Sequence, residues 1–99
     1  MPLELIYTPA ASNDIDSIYL HISQDSPNRA DRFVREIESA CENLCHMPGI
    51  GTARPDLRPA LRLFFIKRRV VIAYEANDIR LDVLRILYGG RNYEDLIEG

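Results

Sequence analysis

The sequence lacks any run of about 18 consecutive apolar residues, so no membrane-spanning helix is expected. Its start, Met1-Pro2-Leu3-Glu4, has no basic stretch leading into an apolar one. A secretory signal is therefore not expected, and a cytoplasmic location is. Cysteine is scarce, with only Cys41 and Cys45, which rules out the disulfide framework of a small secreted domain. Four residues apart on a helix, the pair would make a strained disulfide, so reduced thiols are expected. Histidine is limited to His21 and His46. Cys41 and Cys45 on one helix face could share an ion, but His46 points elsewhere and a fourth ligand is missing. They read as core cysteines, and no metal or cofactor is expected. Repeats, low-complexity tracts and linkers are also missing, and 99 residues make a single domain over 1–99.

The composition is ordinary for a globular protein, at 46% hydrophobic and 27% charged residues, which suffices for one core. The net charge of −3 does not suggest a nucleic-acid binder, but the charges are unevenly spread. Residues 1–53 hold three arginines against eight acidic residues, a balance of −5. Residues 54–91 hold nine basic residues against four acidic ones, a balance of +5. Eight of those nine are arginines, the side chain suited to bidentate anion contacts. Two faces with different partners are implied.

Alternation at Leu3, Leu5 and Tyr7 predicts a short first strand. Thr8-Pro9 has the form of an N-cap followed by proline at the first helical position. Ala11, Ile15, Ile18, Tyr19 and Ile22 follow at helical spacing. Ser26-Pro27 repeats the start signal. Ala30, Phe33, Val34, Ile37, Cys41, Leu44 and Cys45 then form a continuous apolar stripe, stopped by Met47-Pro48-Gly49. Residues 49–59, with two glycines and two prolines, read as an ordered loop.

Three β-prone runs complete the chain: Leu61–Ile66, Val70–Tyr74 and Ile79–Tyr88, with turns at Lys67-Arg68 and Ala76-Asn77-Asp78. The expected fold is α+β: an N-terminal strand at or near the sheet edge, then an antiparallel helix hairpin packed on an antiparallel meander. Simple alternation places Leu81, Val83, Arg85 and Leu87 on one face of the last strand, with Leu84, Ile86 and Tyr88 on the other. Arg62, between Leu61 and Leu63, should point away from the core. The sheet face opposite the helices should be open for function.

Several segments, in this order, resemble the ParE/RelE toxin superfamily of type II toxin–antitoxin systems, most closely its ParE branch. They are Tyr7-Thr8-Pro9-Ala10-Ala11, Asp14-Ile15-Asp16-Ser17-Ile18 and Pro27-Asn28-Arg29-Ala30-Asp31-Arg32-Phe33. Then come the Pro48-Gly49-Ile50-Gly51 loop, Leu61-Arg62-Leu63-Phe64 and Val83-Leu84-Arg85-Ile86-Leu87-Tyr88-Gly89-Gly90-Arg91-Asn92. The resemblance runs from about Tyr7 to Asn92. Tyr88 stands where the family commonly has histidine, and Asn92 where it commonly has aspartate. The resemblance implies a toxin silenced by a cognate antitoxin, and it leaves two activities open. One is ParE-like inhibition of DNA gyrase by binding. The other is RelE-like cleavage of mRNA on the ribosome. An inactive relative that only pairs with its antitoxin is the third reading.

A nuclease of that kind needs a base, an acid and cations around the phosphorane. Arg62, Arg85 and Arg91 are candidate cations, and Tyr88 stands among them. A tyrosine hydroxyl is a poor base at neutral pH. Glu75, closing a strand, is a weak candidate, and both histidines are expected on the helices, away from the sheet's open face. Binding is therefore favoured over catalysis, with Arg62, Arg85, Tyr88 and Arg91 as target-binding residues. Arg85 has a competing structural reading, as a half-buried cation paired with Asp14 or Glu36. The antitoxin is expected over the helix hairpin and the sheet edges.

Overall fold

The computed structural model describes residues 1–89 of the chain. Five strands and two helices follow in the order β1 (Glu4–Tyr7), α1 (Pro9–Ser23), α2 (Pro27–His46), β2 (Thr52–Ala53), β3 (Arg62–Ile66), β4 (Val70–Ala76) and β5 (Arg80–Tyr88). A short 3-10 turn, Pro48–Ile50, follows α2. Both helices start where the local chemistry dictates. The Thr8 hydroxyl accepts the Ala11 amide at 3.1 Å, and the Ser26 hydroxyl accepts the Arg29 amide at 3.3 Å. A proline occupies the first turn of each helix, where no amide is missed.

The sheet order is β1-β5-β4-β3-β2. The meander β3-β4-β5 is antiparallel as expected, but β1 joins β5 in parallel, so the sheet is mixed. The hairpin of helices brings the chain back to its start: the Leu3 amide donates to the Cys45 carbonyl at 3.0 Å. β2 was not legible as a strand. Its two residues follow the 3-10 turn and pair with Leu63 and Arg62.

The helices cover one face of the sheet. Ala11, Ile18, Ile22, Ala30, Ile37, Cys41 and Leu44 pack on Val70, Ile72, Tyr74, Leu81, Val83 and Ile86. The opposite face is not open. Leu61, Leu63, Val71, Ala73 and Leu87 form a second buried cluster, with Leu57 and Leu84 packed against it. Leu57 belongs to the loop, which folds into tight turns closed by Leu57 N–H to the Arg54 carbonyl (3.0 Å) and Leu61 N–H to the Arg58 carbonyl (3.1 Å). The loop thus roofs part of the face expected to be bare.

A register shift in β5 explains why simple alternation fails there. Tyr74 pairs with Val83 but Ala73 pairs with Arg85, leaving Leu84 as the extra residue of a β-bulge. Past the bulge the faces exchange: Ile86 joins Leu81 and Val83 in the helix-side core, while Leu84 and Leu87 go to the other cluster. The same two-sided burial corrects Arg62. Its apolar neighbours Leu61 and Leu63 face the second cluster, so Arg62 shares the helix-side face with its cross-strand partner Tyr74.

Candidate functional site

The strand β1 ends at Tyr7, but β5 runs on to Tyr88, so the second half of β5 has no strand partner on that side. The first turns of α1 occupy the space. Thr8, besides capping α1, donates its hydroxyl to the Leu84 carbonyl at 2.9 Å, which ties the helix start to the bulge. Between α1 and the end of β5 lies a cleft of about 490 Å³, lined by Asp14, Ser17, His21, Arg85, Ile86 and Tyr88, with Asn13, Ile18 and Gly89 at its margins.

Within it, the Asp14 carboxylate accepts two hydrogen bonds from the Arg85 guanidinium, at 2.7 and 2.9 Å, and a third from the Ile86 amide at 2.9 Å. The carboxylate does for the Ile86 N–H what a neighbouring strand would otherwise do. Its hydrogen bonds also hold the Arg85 pKa above the ordinary value, so the guanidinium stays charged and committed. Tyr88 stacks edge-on to Phe33 of α2, with ring centroids 5.5 Å apart, and lies 5.9 Å from the His21 ring. His21 was expected away from the site. It is in fact in the cleft, because the exchange of faces at the bulge turns Tyr88 toward the helices. Helical spacing gave one usable signal: Asp14, Ser17 and His21 recur at i, i+3 and i+7, one polar stripe of α1.

Arg62 is not gathered with this group. Its Nη1 donates to the carbonyls of Gly51, at 2.6 Å, and Gly49, at 3.2 Å. Beside it, the buried Tyr74 hydroxyl donates to the Pro48 carbonyl at 2.7 Å and accepts the Gly51 amide at 3.0 Å. Arg62 and Tyr74 together pin the turn after α2. Glu75, the weak candidate base, is paired with Arg58 at 3.3 Å. Arg91 and Asn92 lie outside the described residues. Of the four expected site residues, then, Arg85 and Tyr88 share one cleft and Arg62 stands apart.

Among the described residues, no group of three or more His, Cys, Asp or Glu side chains converges on a common point. No helix there is long and apolar enough to cross a membrane.

Residues 5–93 match the family model described as the ParE toxin of the type II toxin–antitoxin system, parDE. Over 89 residues the chain is 34% identical to Toxin ParE3 of Caulobacter vibrioides, spanning 89% of this chain and 88% of that one. The fold is similar to a chain in the solved structure of the chromosomal ParDE TA system from P. aeruginosa. That match has a TM-score of 0.73 and 25% identity, and covers 87% of this chain and 95% of the other.

Proposed function

Because this chain belongs to the ParE toxin family of type II toxin–antitoxin systems, we propose that it acts in the cytoplasm by binding DNA gyrase and blocking its turnover. As the toxin of such a system it has an antitoxin as its partner.

One observation favours binding over catalysis. Two of the three arginines that an mRNA endonuclease would aim at a phosphate, Arg62 and Arg85, are already used within the chain. Arg85 is neutralised by Asp14 at 2.7 Å, and Arg62 serves two backbone carbonyls in another part of the sheet. Redirecting Arg85 to a substrate would leave the Asp14 carboxylate, which is only 12% exposed, without its counter-ion. Preorganised cations are the main source of rate in phosphoryl chemistry, and a cation held by its own carboxylate supplies little of it.

The RelE-like reading rests on a different observation. His21 stands 5.9 Å from Tyr88 in the same cleft as Arg85, so a titratable imidazole is at hand. The two readings part cleanly in the test tube. The purified chain should inhibit gyrase supercoiling and leave ribosome-bound mRNA intact. Site-specific mRNA cleavage that disappears in Tyr88→Phe or His21→Ala would replace the gyrase reading with the nuclease one.

For the antitoxin, we place the contact over the helix hairpin and the neighbouring sheet edge. α1 exposes Leu20 and the edge strand β1 exposes Ile6, which gives an apolar anchor next to a strand open to pairing. A complex that leaves both elements bare would refute this placement.

A further inference from the structure

Lys67, Arg68 and Arg69 form the exposed turn between β3 and β4. Across a shallow cleft of about 290 Å³ they meet the first turns of α2. Arg29, Arg32, Lys67 and Arg69 line this cleft with Phe33 and Glu36. Four of the chain's 12 basic residues thus line one small surface of a protein with a net charge of −3, and Arg68 belongs to the same exposed turn. Glu36 is the one acid in the lining, and it reaches Lys67 at 3.4 Å. The side chains of Arg29, Arg32, Arg68 and Arg69 make no hydrogen bond or ion pair among the described residues. Arg58, Arg62, Arg80 and Arg85, elsewhere, are all engaged within the chain.

Three of these cations sit where local physics disfavours them. Lys67 and Arg68 have φ of 49° and 61°, the left-handed region in which a side chain is strained and glycine or asparagine is preferred. Arg29 is in the first turn of α2, where the helix macrodipole repels a positive charge and no acidic residue offsets it. Both departures from local preference fall on the same surface, and both keep positive charge there. The hairpin turn, closed by the Arg69 amide on the Ile66 carbonyl at 2.9 Å, requires positive φ at its two central positions, and both are given to cations rather than to glycine or asparagine.

We propose that this surface binds the phosphate backbone of double-stranded DNA. The arginine fork matches phosphate oxygens, and two rows of cations across an open, shallow cleft suit a convex phosphodiester strand. An acidic peptide fits less well. Peptide docking uses apolar pockets or a strand edge, and the only apolar side chain here is Phe33, half-buried and already stacked on Tyr88. The proposal rests on the gyrase reading for its setting, in which the DNA is the segment that the enzyme holds.

The full chain, freed of antitoxin, is titrated into a short labelled DNA duplex from low to physiological salt. Binding should weaken linearly with the logarithm of salt. In Arg29→Ala/Arg32→Ala the slope should be shallower by about two, with affinity down about tenfold or more. Arg68→Gly should raise the melting temperature, since glycine relaxes the turn, yet bind severalfold more weakly. That combination separates lost contact from lost fold. Arg58→Ala/Arg80→Ala removes the same charge elsewhere and should leave affinity within about twofold. No binding at low salt, an equal loss in the control pair, or a preference for polyglutamate over the duplex would overturn the proposal. Supercoiling assays on the same proteins keep the two readings apart. Duplex binding through this surface without gyrase inhibition refutes only the gyrase reading. Gyrase inhibition without duplex binding refutes only this one.

Discussion

Asp14 and Arg85, 71 positions apart in the chain, are joined by two parallel hydrogen bonds at 2.7 and 2.9 Å, and the same carboxylate holds the Ile86 amide. One side chain from the first helix thereby closes the open half of the last strand and fixes the cation beside the β-bulge. The pairing makes Arg85 a structural residue first. Any role in target binding has to be exercised from within that pair.

Asp14 serves two partners and Arg85 only one, so the two truncations should be unequal. Asp14→Ala strands both the guanidinium and the Ile86 amide and is expected to cost about 2–3 kcal/mol, reduced from the fully buried case because Arg85 keeps some solvent contact. Arg85→Ala leaves the carboxylate bonded to the amide and should cost less. Thermal melts decide the order, at roughly 4–8 °C per kcal/mol for a domain of this size. Equal losses would mean that the Ile86 contact contributes nothing.

Gly49 and Gly51, two residues apart, should respond oppositely to alanine. Nothing lies within 4 Å of a Cβ placed on Gly49, whereas one on Gly51 would come 2.8 Å from the Tyr74 Cε1. The tyrosine ring is buried and held by its own hydroxyl, so it cannot withdraw. Gly49→Ala is expected to stay within about 0.5 kcal/mol of the parent, and Gly51→Ala to lose about 1–3 kcal/mol. Chemical denaturation of the two variants tests the difference.

Arg62→Ala should act on the same turn. Losing the bonds to the Gly49 and Gly51 carbonyls is expected to cost about 1–2 kcal/mol, since hydrogen bonds from charged donors are the stronger ones and this pair is part-exposed. Toxicity must then be compared at equal amounts of folded protein. A variant that melts like the parent but no longer kills would return Arg62 to the target surface.

Stability should fall on the alkaline side. Burial pushes the Cys41 thiol from an ordinary 9.0 up to about 11, and raises Tyr7, Tyr74 and Cys45 in the same direction. Raised folded values mean that the native state holds these protons more tightly than the unfolded chain does. The contribution is intact below pH 9 and is lost as the pH rises through 11. Melting temperatures should therefore drop across that interval. Cys41→Ala should melt lower throughout, because of the cavity, but with a shallower slope. A flat profile in the parent would contradict the burial of these groups.

How much could be read from the sequence depended on how far apart the interacting residues lie. Both helix starts were legible because Thr8 and Ser26 cap amides only three residues away, and proline fixes its own φ whatever surrounds it. The apolar stripe of α2, the strand-prone runs and the turn at Lys67-Arg68 were equally local, and the order of motifs carried the family. The pairing of β1 with β5 in parallel, the two-residue strand Thr52–Ala53 and the second cluster around Leu63 depend on contacts between distant segments, to which alternation is blind. The candidate site shows the limit most clearly. Sequence chemistry singled out Arg85 and Tyr88 and even offered Asp14 as a partner, but one extra residue at Leu84 reversed the phase of β5. That single insertion turned Tyr88 toward His21 and Phe33, while the second cluster and the loop at Leu57 cover the face on which the site was expected. A period-two pattern carries no record of a bulge, because the extra residue is defined only against the strand opposite, where it finds no partner, and only the folded sheet brings that strand alongside.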